Sequence, residues 1–355
     1  MTHRWGVIGP GNIAQTFADA LRHLPQGELY AIASRDPHRA SQFAQNNGAK
    51  VTYDSYQALL EDPNVDIVYI ATPHSHHFPV AMQALKAQKN VLIEKPLTVN
   101  SAQTRQLVAL AKANNCIFQE ALWSRFMPCF ATVKTWIADG KIGALQYITS
   151  QIGFSFSGEP THRLLNPALA GGSLLDLGIY SVSLSQFIIG QNPVCISAMA
   201  SPEQGVVDHN TFVTMHYQSG VTSQFVSTID AQCSNVMTIH GSKGFIHLPS
   251  RFWEGKQCSL WVDDECVENQ QFTHQVNGFE YQIAATMALV EKAHQQRAGI
   301  DTTEMTKNLK AKNAKENIEL CDPCMNHADS IAVMETLDSI RDIIKLRYGD
   351  DIEAL

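Results

Sequence analysis

The sequence predicts an α/β protein of two domains: an N-terminal doubly wound parallel sheet, then a C-terminal α+β domain with an open-faced antiparallel sheet. In the first third of the chain, apolar strand-type runs alternate with helix-type segments over short connections. After about residue 125 the pattern changes to strand-type runs separated by turn sequences, which is typical of antiparallel pairing. We therefore expect domains at residues 1–122 and 123–355.

The first domain follows from its strand and helix signals in order. Strands are predicted at residues 5–8, 29–33, 66–71, 91–93 and 116–120, and helices at 13–24, 79–87 and 101–114. We expect Ser101 to cap the last of these helices. Because parallel strands end at one edge of the sheet, Gly9, Ser34, Thr72 and Lys95 should border one ligand crevice.

The second domain is predicted from shorter signals. Strands are expected at residues 145–156, 194–200, 211–217, 221–229 and 235–240, with helices at 128–139, 173–189, 281–295 and 328–346. Residues 302–317 are polar and rich in lysine, which predicts a solvated loop or helix.

A glycine turn, GPGNIA at residues 9–14, joins the first strand to the first helix. Its glycines permit a tight turn and close approach of the backbone to a pyrophosphate, and the small Ala14 lets the helix pack on the sheet. The helix N-terminus then favours the anion. Because a complete βαβ unit surrounds the turn, it predicts a dinucleotide site rather than an ordinary strand-to-helix turn.

The end of the second strand bears on the choice of cofactor. A site for NAD usually has a carboxylate there, but this chain has Ser34, with Arg35 beside it and Arg39 one helical turn on. A hydroxyl and guanidinium groups suit a 2′-phosphate, which favours NADP over NAD. Two alternatives stay open: Asp36 binds the ribose if the register shifts by two residues, or it only starts the next helix.

Composition and charge exclude several classes of partner. A net charge of -8, from 26 Lys and Arg against 34 Asp and Glu, argues against nucleic acid or an anionic membrane. We see no apolar stretch long enough to span a bilayer, and no room for a signal peptide before the first strand. Eight scattered cysteines fit a reducing cytoplasm.

A lysine at a strand end and a helical pair suggest hydride chemistry on a carbon that bears oxygen. Lys95 ends an apolar strand, and Asp176 and Tyr180 are four residues apart on a predicted helix after Gly171 and Gly172. A phenol titrates near ~10, and we expect the Lys95 ammonium to lower that pKa so that Tyr180 serves as acid and base. Tyr180 is alternatively a core residue of its helix.

Two motifs suggest metal or redox chemistry, and the simpler interpretation is preferred for both. The histidines in HSHH, residues 74–77, have no acidic or cysteine partner nearby at ligand spacing, so no metal is predicted. Cys321 and Cys324 form a CxxC pair without a second pair, which indicates ordinary thiols.

Four motifs in order resemble the Gfo/Idh/MocA oxidoreductase family: GPGNIA at residues 9–14, ATPHSHH at 71–77, EKP at 94–96 and GGSLLDLGIY at 171–180. Within that family, ASRD at 33–36 and EALWSRF at 120–126 are similar to the dimeric dihydrodiol dehydrogenase and D-xylose dehydrogenase branch. The similarity runs from about residue 3 to about residue 300.

The resemblance implies an N-terminal Rossmann domain, a homodimer formed through the C-terminal sheet, and a cis bond between Lys95 and Pro96. It implies that Lys95, Asp176 and Tyr180 are catalytic, with tyrosine where the family commonly has histidine. Cofactor contacts are expected from Gly9, Gly11, Asn12, Ile13, Ser34, Arg35, Arg39, Thr72, Pro73, His74, His77, Glu94 and Lys95. Substrate contacts are expected from Trp123, Arg125, Phe154, Asp176 and Tyr180.

The expected activity is an NADP-dependent oxidoreductase that acts on a vicinal diol or sugar. Two alternatives stay open: an inositol or other aldose dehydrogenase or keto-sugar reductase, and a non-catalytic protein that senses NADP. The presence of Lys95, Asp176 and Tyr180 together favours an enzyme, since a sensor has no need of an acid/base set.

Overall fold

The computed structural model describes residues 2–202, 207–304 and 319–355. It has the predicted α/β fold class, with a parallel sheet in the N-terminal part of the chain and a separate mixed sheet in the C-terminal part. The domain limits 1–122 and 123–355 stay a prediction. Most of the polar segment at residues 302–317 lies outside the described residues.

The first sheet has six strands, which are β1 (His3–Ile8), β2 (Gly27–Ala33), β3 (Val51–Tyr53), β4 (Ile67–Ile70), β5 (Asn90–Glu94) and β6 (Phe118–Ala121). They are all parallel, in the order β3-β2-β1-β4-β5-β6. The chain reverses its direction of winding between β1 and β4. Ligands bind at such a switch point, beyond the carboxyl ends of the strands.

Helices cover both faces of this sheet: α1 (Asn12–Leu21), α2 (Pro37–Asn47), α3 (Tyr56–Glu61), α4 (His77–Lys86) and α5 (Ser101–Asn114). Alternate residues of β1 accordingly enter different buried clusters, Val7 on one face and Ile8 on the other. The expected cap of α5 is corrected: Asn100, not Ser101, accepts the first-turn N–H of Gln103 at 2.9 Å. An asparagine one residue earlier provides the same acceptor.

The second sheet has eight strands, which are β7 (Leu145–Gly153), β8 (Pro193–Ser201), β9 (Asn210–Tyr217), β10 (Thr222–Thr228), β11 (Met237–Gly241), β12 (Gly244–Leu248), β13 (Gln257–Val262) and β14 (Glu265–Gln271). Their order is β14-β13-β12-β11-β7-β10-β9-β8. The expectation of a purely antiparallel sheet was wrong, because β7 and β10 are parallel. A long connection joins these two strands, and only strands joined by tight turns must run antiparallel.

The remaining helices are α6 (Pro128–Ala138), α7 (Ile179–Ile189), α8 (Phe279–Glu304), α9 (His327–Ile344) and α10 (Asp350–Glu353). The predicted helix at residues 173–189 is not uniform, since its first part, Leu174–Gly178, is a π-helical turn. Such turns occur often at functional sites. Here the turn contains Asp176 and leads directly into α7, where Tyr180 lies.

One stretch, Pro167–Ile189, has the length and composition of a membrane span, so the expectation that no stretch qualifies was wrong. In the fold, 89% of its most apolar window is buried. A buried helix in a protein core can have the same length and composition as a membrane span.

The open face of the second sheet lies opposite the face that packs on α7. Among the described residues of β7–β13, this open face carries no Asp, Glu, Lys or Arg. Its side chains are Tyr147, Thr149, Gln151, Cys195, Ser197, Met199, Phe212, Thr214, His216, Thr222, Gln224, Val226, Thr238, His240, Phe245, His247, Ser259 and Trp261.

The C-terminal end of the chain packs back onto the first domain. The N–H of Phe118 on the edge strand β6 donates to the carbonyl of Leu320 at 2.8 Å. The amide side chain of Gln103 on α5 donates to the carbonyl of Ile352 at 2.7 Å, and buried Arg341 donates to that of Val99 at 2.7 Å. Leu320, Arg341 and Ile352 therefore pair with the edge strand of the nucleotide-binding sheet and with the segment that includes α5.

Candidate active site

A cleft of about 720 Å³ lies beyond the carboxyl ends of β1, β2, β4 and β5. Every residue that the sequence predicted for cofactor contact lines this cleft, and Asp176 lines it as well. The second domain contributes His162 and Arg163 to the opposite wall. The strand ends therefore meet as the sheet topology predicted, with a wall that the sequence did not predict.

The glycine turn fits a dinucleotide pyrophosphate. Gly9 has φ +96°, and a Cβ there would approach the carbonyl oxygen of Ala71 to 2.8 Å, so only glycine is accommodated. A Cβ on Gly11 would meet no atom within 4 Å, so that side of the turn is open. No side chain caps α1, and its first-turn N–H groups are the donors that a helix terminus offers to phosphate.

The end of β2 forms the other part of the nucleotide cleft. The Ser34 hydroxyl accepts the N–H of Asp36 at 3.1 Å, and the Arg39 guanidinium donates to the carbonyl of Pro10 at 3.2 Å. The Asp36 carboxylate accepts the N–H of His38 at 2.9 Å and caps α2. Of the two alternatives for Asp36, this contact favours the helix start over ribose binding.

Asp176 is the centre of the charged cluster. Its Oδ1 lies 3.1 Å from Lys95 Nζ and 3.0 Å from Arg163 Nη1, and its Oδ2 lies 3.2 Å from Arg163 Nη2. His74 Nε2 is 3.7 Å from Oδ1. Burial disfavours the carboxylate, but Lys95 and Arg163 outweigh that effect and hold the pKa of Asp176 well below its usual range. The carboxylate is therefore ionised throughout the neutral range.

Lys95 keeps its charge in this surrounding. Burial opposes the ammonium, but the attraction of Asp176 and Tyr180 is larger and raises the pKa of Lys95. With Arg163 also charged, two cations share one carboxylate. The cluster therefore has a net positive charge, which suits a site where negative charge develops on an oxygen.

Tyr180 adjoins this cluster from α7. The Lys95 Nζ lies 5.0 Å from the centre of its ring, and its hydroxyl oxygen accepts the indole N–H of Trp123 at 2.7 Å. Burial raises the pKa of Tyr180, although Lys95 and the Trp123 hydrogen bond act to lower it. The expectation of a lowered pKa was therefore wrong in direction, since the cost of burying the phenolate exceeds the attraction of the ammonium. Tyr180 keeps its proton at neutral pH.

The paired glycines before the π-helical turn allow two close approaches. A Cβ on Gly171 would approach the carbonyl oxygens of Arg163 and Leu164 to 2.6 Å, so glycine lets the Arg163 segment pack here. Gly172 has φ +114° and packs on Asp208, whose carboxylate accepts the Leu174 N–H at 2.7 Å. Asp208 thus anchors the start of the turn that holds Asp176.

Two buried acids support the Lys95 strand end. Glu94 accepts the hydroxyl of Tyr69 at 2.5 Å, and Glu120 accepts the N–H of Leu97 at 2.9 Å. Burial raises the pKa of each carboxyl to about 7, against the opposing effect of their hydrogen bonds. The Lys95–Pro96 bond between them is cis, as the resemblance implied.

Of the five residues expected to contact substrate, only Asp176 lines the cleft; Tyr180 adjoins it, and three others lie further from it. Arg125 is corrected to a structural position, because its guanidinium donates to Ser183 at 2.8 Å and pairs with Asp329 at 3.1 Å. The Phe154 ring packs edge-on against Phe156, with centroids 6.5 Å apart. Trp123 is buried and reaches the site through its contact with Tyr180.

Arg163 is the main residue that sequence reasoning missed. It lies in a segment without regular secondary structure between β7 and the π-helical turn, and its side chain is 47% exposed. No periodic pattern identifies such a position. The one available signal was a lone arginine shortly before the glycine pair.

The histidine cluster makes backbone contacts. His74 Nδ1 lies 3.1 Å from the carbonyl oxygen of Ala170, and His77 Nδ1 lies 2.7 Å from that of Pro96. Burial lowers the pKa of His74 to about 3 and that of His77 to about 4.

In the CxxC pair, burial raises the pKa of Cys324 to about 11, so that thiol is protonated at neutral pH.

Comparison with known families gives two matches that together span most of the chain. The model described as the oxidoreductase family with an NAD-binding Rossmann fold, GFO_IDH_MocA, matches residues 3–122. The GFO/IDH/MocA C-terminal domain matches residues 130–247.

Similar proteins include several named trans-1,2-dihydrobenzene-1,2-diol dehydrogenase. That of Mus musculus is 33% identical over 357 residues, which cover 99% of this chain and 99% of the mouse protein. That of Bos taurus is 37% identical over 256 residues, 71% of this chain and 76% of the bovine protein.

Solved structures share the fold at lower identity. An aldose-aldose oxidoreductase from Caulobacter crescentus, complexed with glycerol, has a TM-score of 0.82 at 21% identity and covers 97% of this chain and 98% of its own. A 3-ketoreductase from Actinomadura kijaniata, in complex with NADP and TDP-benzene, has a TM-score of 0.80 at 23% identity over 96% and 98% of the two chains.

We predict that Glu94 makes stability fall as the pH rises. The carboxyl has an ordinary pKa of 4.5 and a folded pKa of about 7, so its protonated form stabilises the fold fully below pH 4.5. That stabilisation is lost as the pH rises through about 7. Urea unfolding measures the free energy of unfolding at about pH 5 and about pH 8. The difference between these two values should be smaller in Glu94→Gln than in the wild type, by up to about 3 kcal/mol. Glu120 titrates in both proteins, so part of the pH dependence remains in the variant. An unchanged difference would contradict the prediction.

Proposed function

Because the chain belongs to the GFO/IDH/MocA oxidoreductase family, we propose that it transfers a hydride between a nicotinamide cofactor and a hydroxyl-bearing carbon of a vicinal diol or sugar. The observation that carries this proposal is the convergence of Lys95, Asp176 and Tyr180 beside the nucleotide cleft. The similar dihydrodiol dehydrogenases support the substrate class. A protein that only senses the cofactor has no need of these three groups.

The cofactor would be held by the glycine turn at its pyrophosphate and by the Ser34 and Arg35 end of the cleft at its adenosine ribose. When bound, it supplies the hydride acceptor or donor. The chain's own residues handle the proton and the charge. Tyr180 holds a proton for the reacting oxygen, and Lys95, kept in place by Asp176, stabilises negative charge that develops there.

The ionisation states favour proton donation at neutral pH. Burial keeps the Tyr180 phenol protonated by raising its pKa, so the unliganded site is ready to donate a proton to a carbonyl oxygen. Oxidation of an alcohol requires the phenolate instead. The rate of oxidation should therefore rise with pH and the rate of reduction should fall.

We propose a cytoplasmic protein whose partners are small molecules rather than nucleic acid or membrane. The net charge of -8 supports this, since it disfavours polyanionic partners. We also propose that residues 1–122 and 123–355 form its two domains.

Cofactor preference should depend on Arg35. We propose NADP as the cofactor, with the Arg35 guanidinium paired to the 2′-phosphate. Arg35→Ala should weaken NADP binding about ten- to a hundredfold and change NAD binding little, because a charge-assisted hydrogen bond contributes about 1.5–3 kcal/mol. Fluorescence titration measures both affinities. Arg22→Ala is the matched control, because Arg22 follows the C-terminal end of α1, away from the glycine turn. A wild type that prefers NAD would refute the assignment.

The acid/base assignment is tested with trans-dihydrodiols and aldoses as substrates. Tyr180→Phe should leave NADP binding intact and lower turnover by about 10²–10⁴-fold, the usual contribution of a placed proton-transfer group. Lys95→Met should affect the same step, so the double variant should lose little beyond the worse single variant. Steady-state kinetics gives these values.

Tyr217→Phe serves as the control, because it removes a buried phenol that pairs with Ser223 and lies on β9, a strand that contributes no residue to the cleft. Its turnover is expected to be near that of the wild type. Near-normal turnover of Tyr180→Phe, or fully additive losses, would exclude Tyr180 as the acid/base. A wild type inactive on every diol and sugar would refute the proposed function itself.

We propose that the open face of the second sheet binds a second copy of the chain. A protein with 60 charged side chains leaves this face without Asp, Glu, Lys or Arg among the described residues of β7–β13, while Met199 is 74% and Phe212 54% exposed. An uncharged face with large exposed apolar side chains is typical of an interaction site. An uncharged face is complementary to itself, as a two-fold interface requires.

Sedimentation should show a dimer at micromolar concentration. Phe212→Glu should give a monomer, because it buries an unpaired charge at the interface. Ile343→Glu, at an exposed apolar position on α9, should remain dimeric. A monomeric wild type, or a dimeric Phe212→Glu variant, would contradict the proposal.

A further inference from the structure

Among the described residues, Trp123 is the only hydrogen-bond partner of the Tyr180 hydroxyl. The indole Nε1–H donates to the phenol oxygen at 2.7 Å, and both side chains are buried, with 9% and 7% exposed. Trp123 begins a short 3₁₀ turn, Trp123–Phe126, close after the end of β6. An indole N–H only donates and does not titrate, so the direction of this hydrogen bond is the same at every pH.

This contact determines where the Tyr180 proton can point. A phenol has one O–H and accepts hydrogen bonds on its oxygen, and here Trp123 occupies an acceptor position. In the part of the chain that the structure describes, the Tyr180 hydroxyl donates to no other group. Its proton is therefore free for a ligand. A donor directed at the oxygen also favours the phenolate once the proton has left.

The indole is held in a defined orientation. Its ring packs on Phe279, with centroids 4.8 Å apart, at the start of α8. Gly278 beside it has φ +99°, and a Cβ there would approach the indole Cζ3 to 3.0 Å and Met127 Cε to 2.9 Å. Because Gly278 has no side chain, the indole ring can lie against it and point its N–H at Tyr180.

We propose that Trp123 is a positioning residue for the acid/base: its N–H directs the Tyr180 proton towards the reacting oxygen and stabilises the phenolate. This inference rests on the proposed function, in which Tyr180 exchanges the proton. It replaces the earlier interpretation of Trp123 as a substrate-contacting side chain, since the residue acts through Tyr180.

The test removes only the donor. Trp123→Phe keeps an aromatic ring, and the pH at which kcat/KM for alcohol oxidation reaches half its plateau should rise by about one to two units. Trp253→Phe is the matched control, because the Trp253 ring lies 6.1 Å from the Tyr180 ring but makes no hydrogen bond to its hydroxyl in the described structure. It should leave that pH unchanged, whatever it does to the rate.

A second measurement does not depend on activity. In protein labelled with ¹³Cζ-tyrosine, the Tyr180 resonance, identified by its loss in Tyr180→Phe, should titrate at higher pH in Trp123→Phe than in the wild type. In the unmodified protein, the Trp123 indole N–H resonance should shift at the pH where Tyr180 ionises, which covers the case that Trp123→Phe does not fold.

Equal Tyr180 titration in wild type and Trp123→Phe, or an indole resonance that ignores Tyr180 ionisation, would overturn the proposal and leave Trp123 with packing alone. These outcomes are independent of the proposed function. A protein without activity on diols or sugars that still shows the coupled titration refutes the proposed function and supports only the effect of Trp123 on the ionisation of Tyr180.

Discussion

The ion cluster at Asp176 is the interaction on which the active site depends. The carboxylate lies where three parts of the chain meet: the end of β5, the irregular segment before the glycine pair, and the π-helical turn. An unpaired carboxylate in this position would cost several kcal/mol, so the three segments stabilise one another only when all are in place. Because Lys95 comes from the first domain and Arg163 from the second, the same contacts join the two walls of the cleft.

The cluster also separates the ionisation of neighbouring groups. Asp176 loses its proton because two cations contact it, whereas burial outweighs the nearby Lys95 and raises the pKa values of Glu94, to about 7, and of Tyr180. Groups whose pKa values are moved apart by their surroundings are what acid/base chemistry requires. Thus Lys95 forms an ion pair with Asp176 and also acts electrostatically on Glu94 and Tyr180.

Local patterns predicted much of the fold and the nucleotide side of the cleft. The glycine turn, the strand ends and the helix with Tyr180 each have a signal within a short stretch of sequence, and the topology of a parallel sheet brings them together. Arg163 had no such signal, because it lies in an irregular segment and acts through a residue on another element. Strands β3, β12 and β13 were missed because they are short, and β14 because most of its side chains are polar.

Two expectations differ from the structure for the same physical reason. The family resemblance implied that Arg125 contacts substrate, yet its guanidinium is buried against Ser183. The pKa of Tyr180 was expected to fall because the sequence indicates neighbouring charges. The sequence does not indicate how completely a side chain loses contact with water, and in both cases that quantity decided the outcome.

The return of the C-terminal end to β6 has a consequence for biosynthesis. The ribosome makes β6 and α5 before the second sheet, whereas Leu320 and Ile352, which pair with β6 and α5, are made after it. The edge of the first sheet is therefore completed only after the strands of the second sheet have been synthesised. Until then, the nascent chain presents an unpaired strand edge, a surface prone to pairing with other chains.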